Sequence, residues 1–170
     1  MHNQRITMLL LLIACCITMT SCSTDYPNQP YTGRHLSIGV IGVPPYIEES
    51  DKVTFVSIDF EDMVRITPDR YDAIWIMNER LAEAASSKYS KVYSRLGFPA
   101  IFIGANSLTP FLSAEIDFRP HAYERGTSYA IGFANGLQHG WGLYNDEVNE
   151  ETIQLFYAEL LRFIEQTDRF

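Results

Sequence analysis

Hydrophobic and polar positions follow two different periods from residue 36 onward. Short apolar runs that are typical of buried strands occur at 36–43, 53–58, 71–77 and 99–104. Between the last two runs, residues 79–96 place Leu, Ala, Tyr and Val at helical spacing. Strands that alternate with helices form largely parallel sheets with helices on their faces, because parallel strands need crossover connections.

Polar residues precede both of the helices predicted in this part of the chain. Asp59 comes directly before the short segment 60–66, and Asn78 comes directly before 79–96. Either side chain can accept a hydrogen bond from a first-turn amide, so both are predicted to be N-caps. Gly97 follows the longer helix and is typical of a helix end.

The C-terminal third predicts a hairpin and a closing helix. Strands at 129–134 and 140–144 flank Asn135-Gly136, a pair that favours the tight turn of a hairpin. Asn149 is the predicted cap of the last helix. Apolar residues then recur along one helical face at Ile153, Phe156, Tyr157, Leu160, Leu161 and Ile164.

These elements predict one α/β domain over residues 36–170. We expect a Rossmann-like or flavodoxin-like three-layer fold with a mostly parallel or mixed sheet, a C-terminal hairpin and a closing helix. The connection at 44–52 is short for a crossover. Either the first strand pair is antiparallel, or it is parallel and lacks its helix.

The first 22 residues predict an export signal. The apolar run Ile6–Met19 is shorter than the roughly 20 residues of a membrane-spanning helix and fits the core of a signal peptide. Met19-Thr20-Ser21-Cys22 then resembles the lipobox of bacterial lipoproteins, with Met19 where that family usually has Leu. The resemblance implies cleavage before Cys22 and diacylglycerol on its sulfur, with palmitate among the acyl chains. The alternative is an ordinary cleaved signal with an incidental cysteine.

The resemblance implies a location and an organisation. Residues 1–21 would be the signal peptide and residues 22–35 a flexible, Pro-containing tether. The body would stand on the outer face of the bacterial cytoplasmic membrane. The net charge is -8, and loss of Arg5 with the signal makes it -9. An acidic body argues against a nucleic-acid partner and is repelled by anionic headgroups, so the lipid on Cys22 is the expected membrane contact.

Polar side chains follow several of the predicted strands. In an open α/β sheet, ligands bind beyond the carboxyl ends of the strands. The candidate ligand-binding residues at these ends are Tyr46, Asp59, Asn78, Asn106 and Ser107. The competing interpretation is structural, since Asp59 and Asn78 can cap helices, and Asn106 or Ser107 can cap the helical turns predicted at 107–114.

A second candidate lies in the predicted hairpin. His139 and Trp141 stand among glycines, a context that can hold an aromatic ring toward a partner. The alternative, which we favour, is that Trp141 and Leu143 face the core.

Established catalytic and metal patterns are missing from the sequence. It has no G-x-S-x-G and no H-E-x-x-H, and His35, His121 and His139 are scattered. The three cysteines all lie within the first 22 residues, which excludes a disulfide framework and a cysteine zinc site in the body. Gly39 and Gly42 lie inside a strand and precede Pro-Pro, so they form no dinucleotide fingerprint. We therefore predict no cofactor, no metal and no recognisable catalysis.

Three weaker resemblances concern the body. Residues 53–107 are similar in layout to class I glutamine amidotransferases, but Ile103–Ser107 lacks the cysteine nucleophile of that family. The stretch IGVIGVPPY is similar to the start of extracellular solute-binding proteins. The body as a whole is similar to small lipoproteins of spore-forming bacteria, which carry no known activity.

We therefore expect a membrane-tethered lipoprotein that binds a protein or a small molecule. The alternatives are a single-lobe receptor for a small solute and an extracellular hydrolase whose site the sequence does not reveal.

Overall fold

The protein forms one six-stranded sheet. A computed structural model describes residues 29–67, 69–93, 95–113, 116–134 and 136–167. The strands are β1 Leu36–Ile41, β2 Val53–Ser57, β3 Ala73–Ile76, β4 Ala100–Ile103, β5 Ala130–Ala134 and β6 Leu137–Trp141. They lie in the order β2-β1-β3-β4-β5-β6. The first four are mutually parallel, whereas β5 and β6 each pair antiparallel with their preceding neighbour.

Five helices flank the sheet within the described residues. They are α1 Phe60–Met63, α2 Leu81–Ala84, α3 Ser87–Tyr93, α4 Thr109–Leu112 and α5 Glu150–Gln166. Short 3₁₀ turns occupy Asn78–Arg80 and Tyr144–Asp146.

Two hydrophobic layers hold these helices to the sheet. Because successive strand residues point to opposite faces, Trp75 belongs to the layer under α5, while Ile74 and Ile76 belong to the layer under α1–α4. On the α5 side, Trp75 stacks on Tyr157 with ring centroids 5.4 Å apart. On the other side, Phe102 stacks on Phe111 at 4.1 Å. The predicted α/β class, with a mostly parallel mixed sheet, a hairpin and a closing helix, is confirmed.

The structure decides the direction of the first strand pair. β1 and β2 are parallel, with Leu36 opposite Val53. Residues 42–52, all of them described, form the crossover without a helix. The sheet thus begins in the strand order 2-1-3-4, as in flavodoxin-like folds.

The prediction of one continuous helix over 79–96 is wrong. The chain instead forms a 3₁₀ turn, then α2, then α3, with a break at Ala85-Ser86. Ser86 and Ser87 stand at this break, and serine side chains weaken helices because they compete for backbone hydrogen bonds.

The hairpin is shifted from its predicted position. The return strand begins at Leu137, directly after the turn, where the sequence predicts residues 140–144. Gly136 has a φ of 76°, as a tight hairpin turn requires, and Asn135 lies outside the described residues. The alternation of inward- and outward-pointing side chains that places Trp141 inward therefore starts at Leu137, three residues earlier than predicted.

The segment that enters β1 is docked on the body. Tyr31 is 2% exposed, and its amide donates to Glu49 Oε1 at 2.9 Å. Arg34 pairs with the buried carboxylate of Asp72 at 2.7 Å, and its amide donates to Glu165. Residues 29–35 therefore belong to the folded domain, where the sequence predicts a flexible tether up to residue 35.

The parallel strands give the sheet two distinct edges. At the amino edge, β1–β4 begin and the β5–β6 hairpin turns. At the carboxyl edge, β1–β4 end and α5 begins, after which α5 runs back toward the amino edge. We use these two names below.

Candidate functional site

Asp59 and Tyr46, two of the predicted ligand-binding residues at the carboxyl edge, do not lie in a common site. Asp59 follows β2 and caps α1: its Oδ1 accepts from the Asp62 amide at 2.8 Å, and the Asp62 side chain accepts in return. Tyr46 lies in the β1–β2 crossover with its side chain 73% exposed. Its carbonyl oxygen accepts from Gln154 Nε2 on α5. The structure therefore supports the capping interpretation for Asp59.

The crevice between β1 and β3 is occupied by the chain itself. At this point the strand order reverses, which is where flavodoxin-like folds bind ligands. Glu79 Oε1 accepts from the Val43 amide at 2.7 Å. Gly42, at φ 120°, has no room for a side chain, because a Cβ would lie 2.5 Å from that same oxygen. An anionic ligand would compete with Glu79 for this amide.

Asn78 is not a helix cap, which corrects the prediction. The cap position of the 3₁₀ turn is Met77, and its side chain makes no capping bond. Asn78 is exposed; its carbonyl oxygen accepts from the Leu81 amide, whereas its side chain has no hydrogen bond to another described residue. Its amide lies against Gly104, whose φ is 88° and whose hypothetical Cβ would be 2.7 Å from Asn78 Oδ1. The Asn78 amide is thus placed at the end of β3 with its hydrogen-bonding capacity unused.

Asn106 and Ser107 follow β4 beside Asn78. Ser107 Oγ lies 3.1 Å from Thr109 Oγ1 and accepts weakly from the Thr109 amide, so this hydroxyl supports the start of α4. Asn106 is exposed. Three predicted residues, Asn78, Asn106 and Ser107, therefore follow the carboxyl ends of the neighbouring strands β3 and β4.

Two cavities open beside these residues along the loop 116–129, and His121 lines both. The outer cavity, which Asn106 and Ser107 line, has a volume of about 460 Å³, and the inner cavity, which Asn78 lines, has a volume of about 180 Å³. Polar side chains along the cleft are Asn78, Asn106, Ser107, Asp117, Arg119, His121, Tyr123 and Ser128. We call this feature the β3/β4 cleft.

The loop over the cleft is pinned to the body by Asp146. Asp146 Oδ1 accepts from the Gly126 amide at 3.0 Å and from the Tyr123 hydroxyl at 2.9 Å. These two hydrogen bonds hold the pKa of Asp146 below its ordinary value. Asn145 and Asp146 both adopt left-handed φ values, an uncommon conformation that the surrounding contacts maintain.

Aromatic packing supports the floor of the inner cleft. Tyr129 contacts Tyr123 edge-on at 5.6 Å and Phe156 of α5 at 5.0 Å. Burial raises the pKa of Tyr129, so its hydroxyl is protonated at neutral pH and can donate a hydrogen bond. The base of the inner cleft is therefore packed against α5 through Tyr129 and Phe156.

The hairpin candidates do not join this cleft. Trp141 is 6% exposed, and its ring contacts Phe163 of α5 edge-on at 4.9 Å. His139 packs beside it, 4.7 Å from Phe163. Gly132 leaves room for the indole, since a Cβ there would lie 3.0 Å from Trp141 Cζ3. Trp141 thus faces the core, as the favoured alternative predicts.

The cleft suits a polar ligand without a large net charge. Its amide, hydroxyl and imidazole groups both donate and accept hydrogen bonds, and it contains one carboxylate, Asp117, and one guanidinium, Arg119. Phe118 and Tyr123 add apolar ring surface. Such a combination of few placed polar groups and aromatic lining is typical of small-molecule pockets.

The geometry of the β4 turn offers no nucleophile. In the amidotransferase layout a reactive side chain stands on the sharp turn after this strand, and here that turn is Gly104 with Asn78 against it. No group of three His, Cys, Asp or Glu residues in the described part of the chain is arranged to hold a metal ion.

The sequence interpretation missed the loop residues of the cleft, chiefly Arg119, His121 and Tyr123. Histidine spacing gave no indication, because His121 acts with residues that are distant in the sequence. A usable indication was loop length: in the connection from α4 to β5, the described residues 116–129 form no helix or strand. Connections longer than about 12–15 residues are uncommon in compact domains and are often functional.

Comparisons with known proteins give no information about this site. No protein-family model, curated protein or solved structure matches the chain. None of the helices in the described ranges is long and apolar enough to cross a membrane. Cys22 and the residues before it lie outside the described part of the chain.

Proposed function

We propose that the protein is a lipid-anchored binding protein on the outer face of the bacterial cytoplasmic membrane. Its body would bind a small polar molecule in the β3/β4 cleft without catalysing a reaction. The export signal and Cys22 support the location. The observation that carries the binding role is the side-chain amide of Asn78, which is exposed, lines the same cavity as His121 and has no hydrogen bond to other described residues.

The structure favours a small molecule over a macromolecule at this cleft. The inner part is recessed between the end of β4 and the loop 116–129, and its volume of about 180 Å³ suits a ligand of a few heavy atoms or one ring. The outer part is lined by Arg119 and Asp117, both of which are exposed. A single-lobe solute receptor is thus the form of binding protein that this geometry supports best.

Thermal unfolding of the purified lipoprotein, measured with monosaccharides, amino acids and nucleosides as probes, tests the binding role. A ligand present at 100 times its Kd stabilises a protein by about 2.7 kcal/mol, which raises the Tm of a domain this size by about 8 °C. We expect one of these classes to produce such a shift. The absence of any shift from all three would contradict a small-polar-ligand role.

Paired histidine variants locate the effect. His121→Ala should lower the affinity for the active probe about tenfold, the equivalent of one hydrogen bond of about 1.4 kcal/mol. His35→Ala is the matched control, since His35 lies at the amino edge, where its Nε2 is 2.8 Å from Thr54 Oγ1. Equal losses in the two variants would place the ligand outside the cleft.

Membrane fractionation tests the anchor. Cys22→Ala removes the sulfur that would carry the lipid, and the acidic body has no other strong attraction to anionic headgroups. We expect the variant to move from the membrane fraction to the soluble fraction. If it stays membrane-bound after a high-salt wash, the lipid anchor is ruled out.

A further inference from the structure

The inner cavity of the β3/β4 cleft offers hydrogen bonds from uncharged groups. Among the described residues that line it there is no Asp, Glu, Lys or Arg, and His121 lies where it meets the outer cavity. Asn78, Ser128 and Tyr129 supply an amide and two hydroxyl groups. A charged group that enters such a cavity loses its water without gaining an oppositely charged partner. The part of a ligand that fills the inner cavity is therefore uncharged.

The outer cavity carries one charge of each sign. Asp117 and Arg119 both line it, and both are exposed. Neither forms an ion pair with another described residue. A carboxylate and a guanidinium are thus available to a ligand at the mouth of an uncharged cavity.

The local backbone presents these two charges together. Residues 117–119 form no helix, and their side chains alternate between exposed, half-buried and exposed. The middle residue, Phe118, packs on Phe111 of α4 with ring centroids 5.6 Å apart. In extended backbone, which Pro120 favours for Arg119, alternate side chains point to the same side. The Cα atoms of Asp117 and Arg119 are then at most about 7 Å apart, so one small molecule can contact both side chains.

This pair of charges discriminates between classes of ligand. A phosphate or another anion attracted by Arg119 would be repelled by Asp117, and a simple cation would meet the reverse arrangement. A neutral sugar would pair with neither charge. A molecule with an ammonium and a carboxylate on one carbon satisfies both, because its ammonium donates to Asp117 and its carboxylate accepts from Arg119. Such charge-assisted hydrogen bonds are stronger than neutral ones.

We propose that the β3/β4 cleft binds an α-amino acid as its zwitterion, with the charged head at Asp117 and Arg119 and an uncharged side chain in the inner cavity. The inference rests on the proposed binding role of the cleft and adds the class of ligand. The inner volume of about 180 Å³ suits a side chain such as that of glutamine or tyrosine. Asn78 and Ser128 supply hydrogen bonds to such a side chain, whereas an ionised side chain would remain unpaired there.

Isothermal titration calorimetry of the purified lipoprotein tests the ligand class. The probes are L-serine, L-glutamine and L-tyrosine, with L-glutamate and L-lysine as charged counterparts. We expect one of the first three to bind, and at least tenfold weaker binding of the two charged amino acids. For the amino acid bound best, the 2-hydroxy acid lacks the ammonium group and the decarboxylated amine lacks the carboxylate. Each analogue should bind at least tenfold more weakly than the amino acid.

The results separate this proposal from the binding role on which it rests. Binding of a monosaccharide or a nucleoside, together with no binding of any amino acid, would overturn the zwitterion and leave a small-molecule cleft. Analogue affinities equal to that of the amino acid would overturn it as well. No binding by any of the three classes would contradict the binding role itself.

Charge-removing variants assign the two ends of the zwitterion. Arg119→Gln should lower the affinity for the amino acid about tenfold and should not lower that for the amine, which has no carboxylate. Asp117→Asn should lower the affinity for the amino acid similarly and should not lower that for the 2-hydroxy acid. Arg125→Gln and Glu124→Gln are the matched controls, because both residues are exposed in the same loop and line neither cavity.

The controls should bind the amino acid as the unaltered protein does. Equal losses for the amino acid and its matching analogue, or losses of the same size in the controls, would indicate a general disturbance of the loop and would overturn the assignment. Unchanged affinity for the amino acid in both Arg119→Gln and Asp117→Asn would overturn it too. Circular dichroism without ligand shows that each variant is folded before its affinity is measured.

Discussion

Leu160→Asp is expected to leave the protein largely unfolded. Leu160 is fully buried on α5, in the layer that packs on Trp75 and Ile38 of the sheet. A buried carboxylate without a partner costs several kcal/mol, while whole domains are stable by only about 5 to 15 kcal/mol. Circular dichroism should show no cooperative thermal transition, and most of the expressed protein should be insoluble.

The neighbouring position supplies the control for this variant. Glu159→Asp places the same side chain one residue earlier, on the exposed side of α5. Its free energy of unfolding should stay within about 0.5 kcal/mol of the unaltered protein. If Leu160→Asp melted at the same temperature as Glu159→Asp, α5 would not pack on the sheet as described.

Trp141→Ala is expected to lower the free energy of unfolding by about 3 to 5 kcal/mol, the usual cost of removing a buried large aromatic side chain. The indole fills the space over Gly132 and contacts Phe163, so its loss leaves a cavity between the hairpin and α5. Urea denaturation measures the change. Gln138→Ala, on the exposed part of the same strand, should change stability by about 0.5 kcal/mol or less.

Fluorescence gives a second measurement of the same residue. In a Trp75→Phe background Trp141 is the sole tryptophan, and acrylamide should quench it weakly because it is 6% exposed. Trp75 is suited to replacement, since its Nε1 has no hydrogen-bond partner among the described residues. Strong quenching together with a stable Trp141→Ala variant would indicate that Trp141 is exposed and that the hairpin is a candidate contact surface.

Much of the fold was predictable because its determinants are local. Strands β3 and β4 are apolar at every position, as burial on both faces of a parallel sheet requires. The stripe on α5 and its Asn149 cap were equally clear, and the capping bond from the Thr152 amide is present at 2.9 Å. Each of these features can be recognised within about one element length.

The errors came from competition between local preferences and tertiary contacts. Asparagine is a common N-cap residue, yet the cap position here is Met77, one residue earlier, and the side-chain amide of Asn78 lies against Gly104. Tyr31 lies in a Pro-containing stretch that suggests a tether, yet its ring is buried and its amide is held by Glu49, 18 residues away. Neither outcome can be derived from neighbours in the sequence alone.

The candidate site was only partly predictable for a related reason. The rule that ligands gather at the carboxyl ends of strands singled out Asn78, Asn106 and Ser107, which line two cavities that share His121. It could not place His121, because a loop folds back over the sheet through contacts with Asp146, a residue about 20 positions further along. Long loops are positioned by such distant partners and have no periodic pattern.

The lipid on Cys22 is the claim on which the proposed location depends. Mass spectrometry of the N-terminal peptide of the protein isolated from membranes tests it most directly. The account predicts a mature chain that begins at Cys22 and carries the mass of a diacylglyceryl group on this residue. A chain that begins at another residue, or one with a free thiol at Cys22, would contradict it.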